Sequence, residues 1–312
     1  MERDKSVILI GQGITSPWYV GGTCDGLLDR FGNGRVIDTP VSENAVTGIA
    51  IGAALAGMRP ILVHPRMDFM HLAMDQIANH AANWHYMFGG QLSVPITIWG
   101  IINRGGEQSA QHSQALQAIF AHIPGLKVVM PSSPHSAKGL LAASVMDDNP
   151  VIYIDDRWLY ETEGEVANEL YITPIGRSSV IKKGKDVTII SVSYMTVIAR
   201  LAAQRLAGAG IDTEVIDLLS VKPLDEATII RSVKKTGRVV ILDGGWKTGG
   251  IGAEISALVS ERVFSGLKAS VKRLSLPDAP APASRALEKV YYPDESTVVS
   301  TIRNLMKKDL RK

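Results

Sequence analysis

Cysteine is almost missing from this chain: Cys24 stands alone among 312 residues. That excludes an intrachain disulfide and any zinc cage built on cysteines. Two readings of Cys24 remain, an inert buried hydrophobe and a thiol nucleophile. An excess of charge of one sign is missing too. Lys and Arg number 33 and Asp and Glu 31, a net charge of +2, which argues against a nucleic-acid or other polyanionic partner. Long apolar runs are also absent. The first, residues 7–11, is too short for a signal-peptide core, and no later one reaches the roughly 18 residues a membrane span needs. The sequence therefore reads as cytoplasmic, with no membrane partner. No short-period repeat is visible, which excludes solenoids.

What is present is an ordinary globular composition, 46% hydrophobic and 21% charged, long enough for two domains. Short β-branched runs at 7–10, 60–63, 95–102, 127–130 and 151–154 alternate with helical patterns at 44–56, 72–84, 111–122 and 136–146. Continuous apolar strands between helices predict a parallel sheet covered on both faces. Residues 1–155 are expected to form one doubly wound α/β domain. The polar stretch 156–185, with Glu161, Glu163, Glu165, Glu169, Pro174 and Gly176, reads as a linker. A second alternating series fills 186–312, with strands at 187–192, 213–217, 239–242 and 271–276. Its helices are expected near 195–208, 225–235, 250–264 and 294–308, and the tract DAPAPAS (278–284) reads as a loop.

Nucleotide and metal signatures fail on spacing. GQG (11–13) follows a strand, but the third glycine of a dinucleotide fingerprint is replaced by Ser16, and Pro17 and Gly21–Gly22 interrupt any helix. LDGGWKTGG (242–250) lacks the ending of a P-loop. His80 and His85 are five apart and His64 and His71 seven apart, so neither pair gives a zinc-binding helix. Two other features point to chemistry. Glu43 sits just past a strand, in the first turn of a helix rich in small residues, where α/β sheets place ligands. On spacing alone it also reads as a helix-start carboxylate favoured by the helix dipole. His112, in AQHSQ (110–114) after the loop RGGEQ (104–108), is expected at a helix start. There it serves either to exchange protons near neutral pH or as a hydrogen-bonded cap.

Several long stretches together resemble the beta subunit of the decarboxylating component of 2-oxoacid dehydrogenases, within the wider transketolase-like family. They are VIDTPVSENAVTGIAIGAALAGMRP (36–60), AMDQIANHAANWHYMFGG (73–90), SVPI (93–96), AQHSQ, HIPGLKVVMPSSPHSAKGLL (122–141) and DDNPV (147–151), and the likeness continues through TIISVSYM, IDLLSVKPLD, VVILDGGW and GIGAEI. The resemblance implies an N-terminal pyrimidine-binding domain and a transketolase C-terminal-like domain. It also implies thiamin diphosphate as cofactor and cleavage of a C–C bond in a 2-oxo acid, with transfer of the acyl or aldehyde unit.

Carried over by position, Glu43 matches the glutamate that shares a proton with the aminopyrimidine ring. Phe69 matches the aromatic ring packed on it, and Val41 lies near it through its backbone. His112 matches a histidine that handles protons or acyl transfer at the reactive carbon. The family's structural potassium site falls on Ile96, Val145, Asp147 and Asn149.

No Gly-Asp-Gly occurs here. The resemblance therefore assigns the diphosphate and its Mg²⁺ to an alpha-type partner in an alpha2beta2 assembly with beta–beta contact, and a lipoyl-bearing acyltransferase is a further implied partner. The chain departs from the pattern at Gln12, where the family has an acidic residue near the cofactor, and at Trp99, where dehydrogenases often have Arg. It also departs in VHPRMDF (63–69), which adds His64 and Arg66. These two read either as an anionic-substrate site or as surface residues. The departures keep open a split transketolase-like subunit acting on a sugar or secondary metabolite, and a non-catalytic assembly subunit.

Overall fold

The computed structural model describes residues 1–16, 18–106 and 108–307. Pro17, Glu107 and the last position of the helix expected near 294–308 lie outside them. The chain divides into two compact units. The first comprises Met1–Arg104, Gln111–Val129 and Ser133–Ile175, and the second Gly105–Ala110, Met130–Ser132 and the chain from Gly176 onward. The polar stretch 156–185 thus falls on both units.

In the first unit, strands β1 (Val7–Gln12), β2 (Val36–Thr39), β3 (Arg59–His64), β4 (Thr97–Ile102), β5 (Lys127–Val129) and β6 (Val151–Asp156) form a parallel sheet of order β5-β6-β4-β3-β1-β2. Every residue of β4 and β6 is buried, as expected of strands covered on both faces. The helices are α1 (Leu27–Phe31), α2 (Glu43–Leu55), α3 (Trp84–Met87), α4 (Gln117–His122) and α5 (Pro134–Met146). Ser133 and Ser136 form a reciprocal capping box at the start of α5, with Pro134 at a position that needs no N–H donor.

Two expectations change here. The pattern at 72–84 is not one helix but a 3-10 helix at Met67–Ala73, a π-helix at Asp75–Ala81 and then α3. The expected helix at 111–122 is helical only over α4.

The order of the sheet fixes where a ligand belongs. The chain runs from β1 outward to β2, and from β3 the other way to β4, so β1 and β3 are neighbours whose continuations diverge. Gly11 lies opposite Val63, and Gln12 opposite Thr39, so the three carboxyl ends finish close together. A crevice opens outside such a switch point in doubly wound sheets.

The second unit has a sheet of order β12-β11-β8-β9-β7, built from β7 (Ser179–Lys182), β8 (Val187–Ser191), β9 (Thr213–Asp217), β11 (Val239–Trp246) and β12 (Lys272–Leu276). All are parallel except β7, which runs antiparallel to β9; a short strand, β10 (Ser220–Lys222), follows β9. Helices α6 (Tyr194–Ala207), α7 (Glu226–Thr236), α8 (Ile251–Val263), α9 (Arg285–Tyr291) and α10 (Glu295–Met306) complete it. Ala199, Ala202, Ala203 and Leu206 of α6 pack with Val298 and Ile302 of α10 in a sealed core. Asp225 and Asp294 cap α7 and α10 by accepting from Thr228 and Thr297 N–H. Among the described residues, no helix is long and apolar enough to cross a membrane.

Candidate active site

A cleft of about 340 Å³ opens at the carboxyl ends of β1 and β3. Gln12 at the end of β1 lines it together with His64, Pro65 and Arg66 at the exit of β3. Tyr19, Val41, Glu43, Phe69, Leu72 and His112 complete the lining. Gly13 makes room for Tyr19: its φ is +63°, and an added Cβ would lie 2.6 Å from the Tyr19 ring. Seven residues singled out in the sequence for cofactor, substrate or proton handling thus share one cleft: Gln12, Val41, Glu43, His64, Arg66, Phe69 and His112.

Glu43 is the first residue of α2, where the helix N-terminus favours a negative charge. It is half-buried, and among the described residues nothing donates a hydrogen bond to its carboxylate. A recess beside it is lined by Thr39, whose hydroxyl is buried without a hydrogen-bond partner. Buried polar atoms are nearly always satisfied, so an unpartnered hydroxyl beside an uncommitted carboxylate fits a polar heteroaromatic ligand. Val41 is 69% exposed next to them.

The Phe69 and His112 rings meet edge to face, 5.4 Å apart at 87°. His112 is not at a helix start, which corrects the sequence expectation. Its segment is held by tertiary contacts instead: Gln114 N–H donates to Asp68 Oδ1 (3.1 Å), and Leu116 N–H donates to Met67 Sδ (3.3 Å). Those N–H groups are spent on the Met67–Ala73 turn, and the first helical residue is Gln117. Burial, and secondarily the Arg66 charge, holds the His112 imidazole below its ordinary range, so the ring is neutral and able to accept a proton. Burial pushes the Asp68 carboxyl up to about 6, against the opposing hydrogen bond from Gln114. Sequence reading missed Asp68, because its contact with Gln114 spans 46 positions and leaves no local pattern.

His64 and Arg66 part company. His64 is 3% exposed, its Nε2 lies 3.3 Å from the Thr47 hydroxyl, and burial lowers its pKa to about 4. It is neither a surface residue nor a cation at neutral pH, so it cannot supply charge to an anion. Arg66 is half-buried at the cleft with its charge intact.

Trp99 is buried in β4, its ring edge-on to Tyr153 at 5.7 Å. Close by, Asp155 accepts from the Tyr160 hydroxyl (3.1 Å), and burial pushes its carboxyl up to about 7.

The residues of the expected potassium site lie at the opposite edge of the sheet, before β4 and β6. Their polar groups already carry hydrogen bonds within the protein. Arg59 Nη1 donates to the carbonyls of Val145 (3.0 Å) and Asp147 (3.1 Å), and the Ile96 carbonyl accepts from Val151 N–H (3.0 Å). Asn149 N–H donates to Asp147 Oδ1 (2.9 Å), and Lys127 pairs with the same carboxylate. A guanidinium thus already supplies positive charge beside those carbonyls, each of which keeps a second lone pair. Among the described residues, no group of three or more His, Cys, Asp or Glu is placed to hold a metal.

Residues 1–162 match the family described as the transketolase pyrimidine-binding domain, and residues 176–298 the transketolase C-terminal domain. Subunit beta of the pyruvate dehydrogenase E1 component of Rickettsia bellii is 42% identical over 305 residues, covering 98% of this chain and 94% of that protein. Subunit beta of the acetoin:2,6-dichlorophenolindophenol oxidoreductase of Cupriavidus necator is 41% identical over 317 residues, with the same 98% and 94% covered. The solved structure of a split-gene transketolase, an inactive beta4 tetramer, has the same fold, with a TM-score of 0.80 at 22% identity over 99% of this chain and 94% of that one. With both transketolase domains matched and identity sustained along nearly the whole length, this chain belongs to the transketolase-like family of thiamin-diphosphate-dependent enzymes that includes the beta subunits of pyruvate dehydrogenase E1 and acetoin oxidoreductase.

Proposed function

We propose that this chain is the pyrimidine-binding half of a thiamin-diphosphate enzyme that cleaves the C–C bond beside the carbonyl of a 2-oxo acid, with loss of carbon dioxide, and passes the acyl unit to an acceptor. The single observation that carries the reading is the uncommitted Glu43 carboxylate at the start of α2, in a cleft at the sheet's switch point. Thiamin diphosphate, when bound, supplies the electron sink on which the C–C bond breaks.

This chain's residues orient it and move protons. Glu43 would hold the aminopyrimidine by sharing a proton with a ring nitrogen, and Thr39 would offer its unpaired hydroxyl beside it. Phe69, Val41 and Gln12, which line the same cleft, would hold the ring beside Glu43. His112, kept neutral by burial and by Arg66, accepts or returns a proton near the substrate carbonyl. The diphosphate and Mg²⁺ need oxygen ligands; among the described residues no group of three or more His, Cys, Asp or Glu is placed to hold the ion, and an alpha-type partner with a Gly-Asp-Gly motif provides them. An alpha2beta2 assembly, and a lipoyl-bearing acyltransferase as acceptor, belong to the same proposal.

Arg66 favours a second reading, a two-chain transketolase-like enzyme acting on a ketose phosphate.

The test uses the chain co-purified with its alpha-type partner. The wild-type pair is expected to bind thiamin diphosphate in a fluorescence titration and to turn over a 2-oxo donor. Glu43→Gln is expected to abolish turnover with an unchanged circular dichroism spectrum. Full activity of that variant, or no cofactor binding by the wild-type pair, overturns the proposal.

A further inference from the structure

Arg66 lines the cleft, and a second guanidinium, that of Arg157, lies near it. Arg66 Nη1 donates to the carbonyls of Tyr19 (3.3 Å) and Pro65 (2.8 Å), and Arg157 Nη2 donates to the carbonyl of Trp18 (2.8 Å). Anchored on consecutive carbonyls, they lie close enough for the Arg157 charge to act on Arg66. Like charges so placed repel, and the usual remedy is a carboxylate between them. No close ion pair relieves the repulsion: among the described residues neither arginine pairs with a carboxylate, and Asp68, whose charge does act on Arg66, is held by Gln114 N–H instead. Arg157 Nη1 is held by the neutral side-chain oxygen of Asn103 at 2.7 Å.

The hydrogen bonds of Arg66 leave one edge of its fork unused. Nη1 is spent on backbone, while Nε is buried with no partner at all. Nη2 has no hydrogen bond and, unlike Nε, is not sealed from solvent, so it can donate a charge-assisted hydrogen bond to a carboxylate or phosphate oxygen. The 18–22 loop that carries the anchoring carbonyls is itself fixed. Gly21, at φ +63°, lies against the Tyr160 ring so closely that a Cβ would come within 2.7 Å of it.

We infer that Arg66, backed by Arg157, forms an anion subsite in the cleft that takes the carboxylate or phosphate group of the donor substrate. The inference rests on the proposed function for its substrate, but its ion-binding arm is independent of that function.

In the reconstituted pair, kcat/KM is measured for acetoin (uncharged), pyruvate (carboxylate) and fructose 6-phosphate (phosphate). Arg66→Gln is expected to lower the preference for the anionic donor over acetoin by about 10- to 100-fold, the loss of a charge-assisted hydrogen-bonded pair. Arg66→Lys is expected to recover only part of that preference, since it restores charge without the fork. An unchanged ratio overturns the subsite.

In the second arm, acetate and inorganic phosphate are titrated into the full chain alone, observed at the Arg66 Nε and His112 C2–H resonances. One ion is expected to shift both in wild type and neither in Arg66→Gln, and which ion acts tells a carboxylate from a phosphate donor. If neither ion acts, the subsite is refuted even where the pair is active. If an ion binds but the pair takes up no thiamin diphosphate, the proposed function fails and the subsite stands.

Discussion

Replacing His64 by Gln should change how this protein responds to acid by an amount the structure specifies. Burial lowers the His64 pKa from its ordinary 6.5 to about 4. The folded state therefore binds a proton there less readily than the unfolded state does. Stability from this group is fully present above pH 6.5 and is lost as pH falls from there toward 4. A difference of that size corresponds to about 3 kcal/mol. Gln keeps an acceptor and a donor for the Thr47 hydroxyl, so the substitution itself is expected to cost only about 1 kcal/mol at pH 8. Three buried carboxyls oppose His64 in the same window. Asp68 and Asp217, both raised to about 6, and Asp155, raised to about 7, each lose an ionisation penalty as pH falls. The wild-type curve alone is a sum of these, so the informative quantity is the difference between wild type and His64→Gln. Urea unfolding at steps from pH 8 to pH 4 should show that difference constant above about pH 6.5 and then moving in favour of the variant by about 3 kcal/mol. In parallel, the His64 C2–H resonance should titrate near pH 4. A difference that stays flat across the range would refute the buried, neutral assignment and would reopen His64 as a cation in the cleft.

Asp68→Asn leaves an oxygen to accept from Gln114 N–H and removes the buried charge. Because the folded pKa is raised from 3.8 to about 6, the penalty is fully present above pH 6 and fades toward pH 3.8. Urea midpoints should therefore show the variant more stable at pH 8 by up to about 3 kcal/mol, less the charge-assisted part of the hydrogen bond, and level with wild type near pH 4. Asp156→Ala takes the carboxylate from Arg104, whose Nε lies 3.2 Å away in a pair that is 2% and 1% exposed. Equilibrium unfolding should register a loss of about 3–5 kcal/mol, and a loss under 1 kcal/mol would contradict a pair sealed from water.

The sequence makes the sheet legible because its strands are buried on both faces, and continuous runs such as those at 95–102 and 151–154 have no other economical fold. It makes Glu43 legible for a related reason: a carboxylate beginning a helix directly after a strand is positioned by local chain geometry alone. His112 is legible as a residue but not as a conformation. Its segment is shaped by Asp68 and Met67, which are distant in sequence, so helical periodicity at 111–122 misleads. The same limit applies to 72–84, where one apolar rhythm serves 3-10, π and α turns alike. VHPRMDF shows two basic residues near a strand end, yet which one keeps its charge depends on burial, and only the three-dimensional structure supplies that. Arg59 is invisible as the group that holds the Val145 and Asp147 carbonyls, because those partners lie 86 and 88 positions away.

The distribution of unsatisfied atoms argues for a ligand more strongly than any one residue does. Several stranded buried polar atoms are scattered through the chain, but Thr39 Oγ1, Arg66 Nε and Asp68 Oδ2 belong to residues at or just beyond the carboxyl ends of β2 and β3. Each such atom costs about 1–3 kcal/mol relative to a bonded one. A chain selected for stability alone would relieve that cost with Val at 39 or Leu at 66, both of which suit a cleft already walled by Pro65, Phe69 and Leu72. Keeping a donor-acceptor hydroxyl, a cation and an uncommitted carboxylate around one crevice makes sense when the missing partners arrive from outside. The pattern also has a polarity. Glu43 and Thr39 stand on the β2 side and Arg66 on the β3 side, so a ligand presenting a nitrogen heterocycle to one wall and an anionic group to the other would satisfy both, whereas a neutral apolar molecule would satisfy neither.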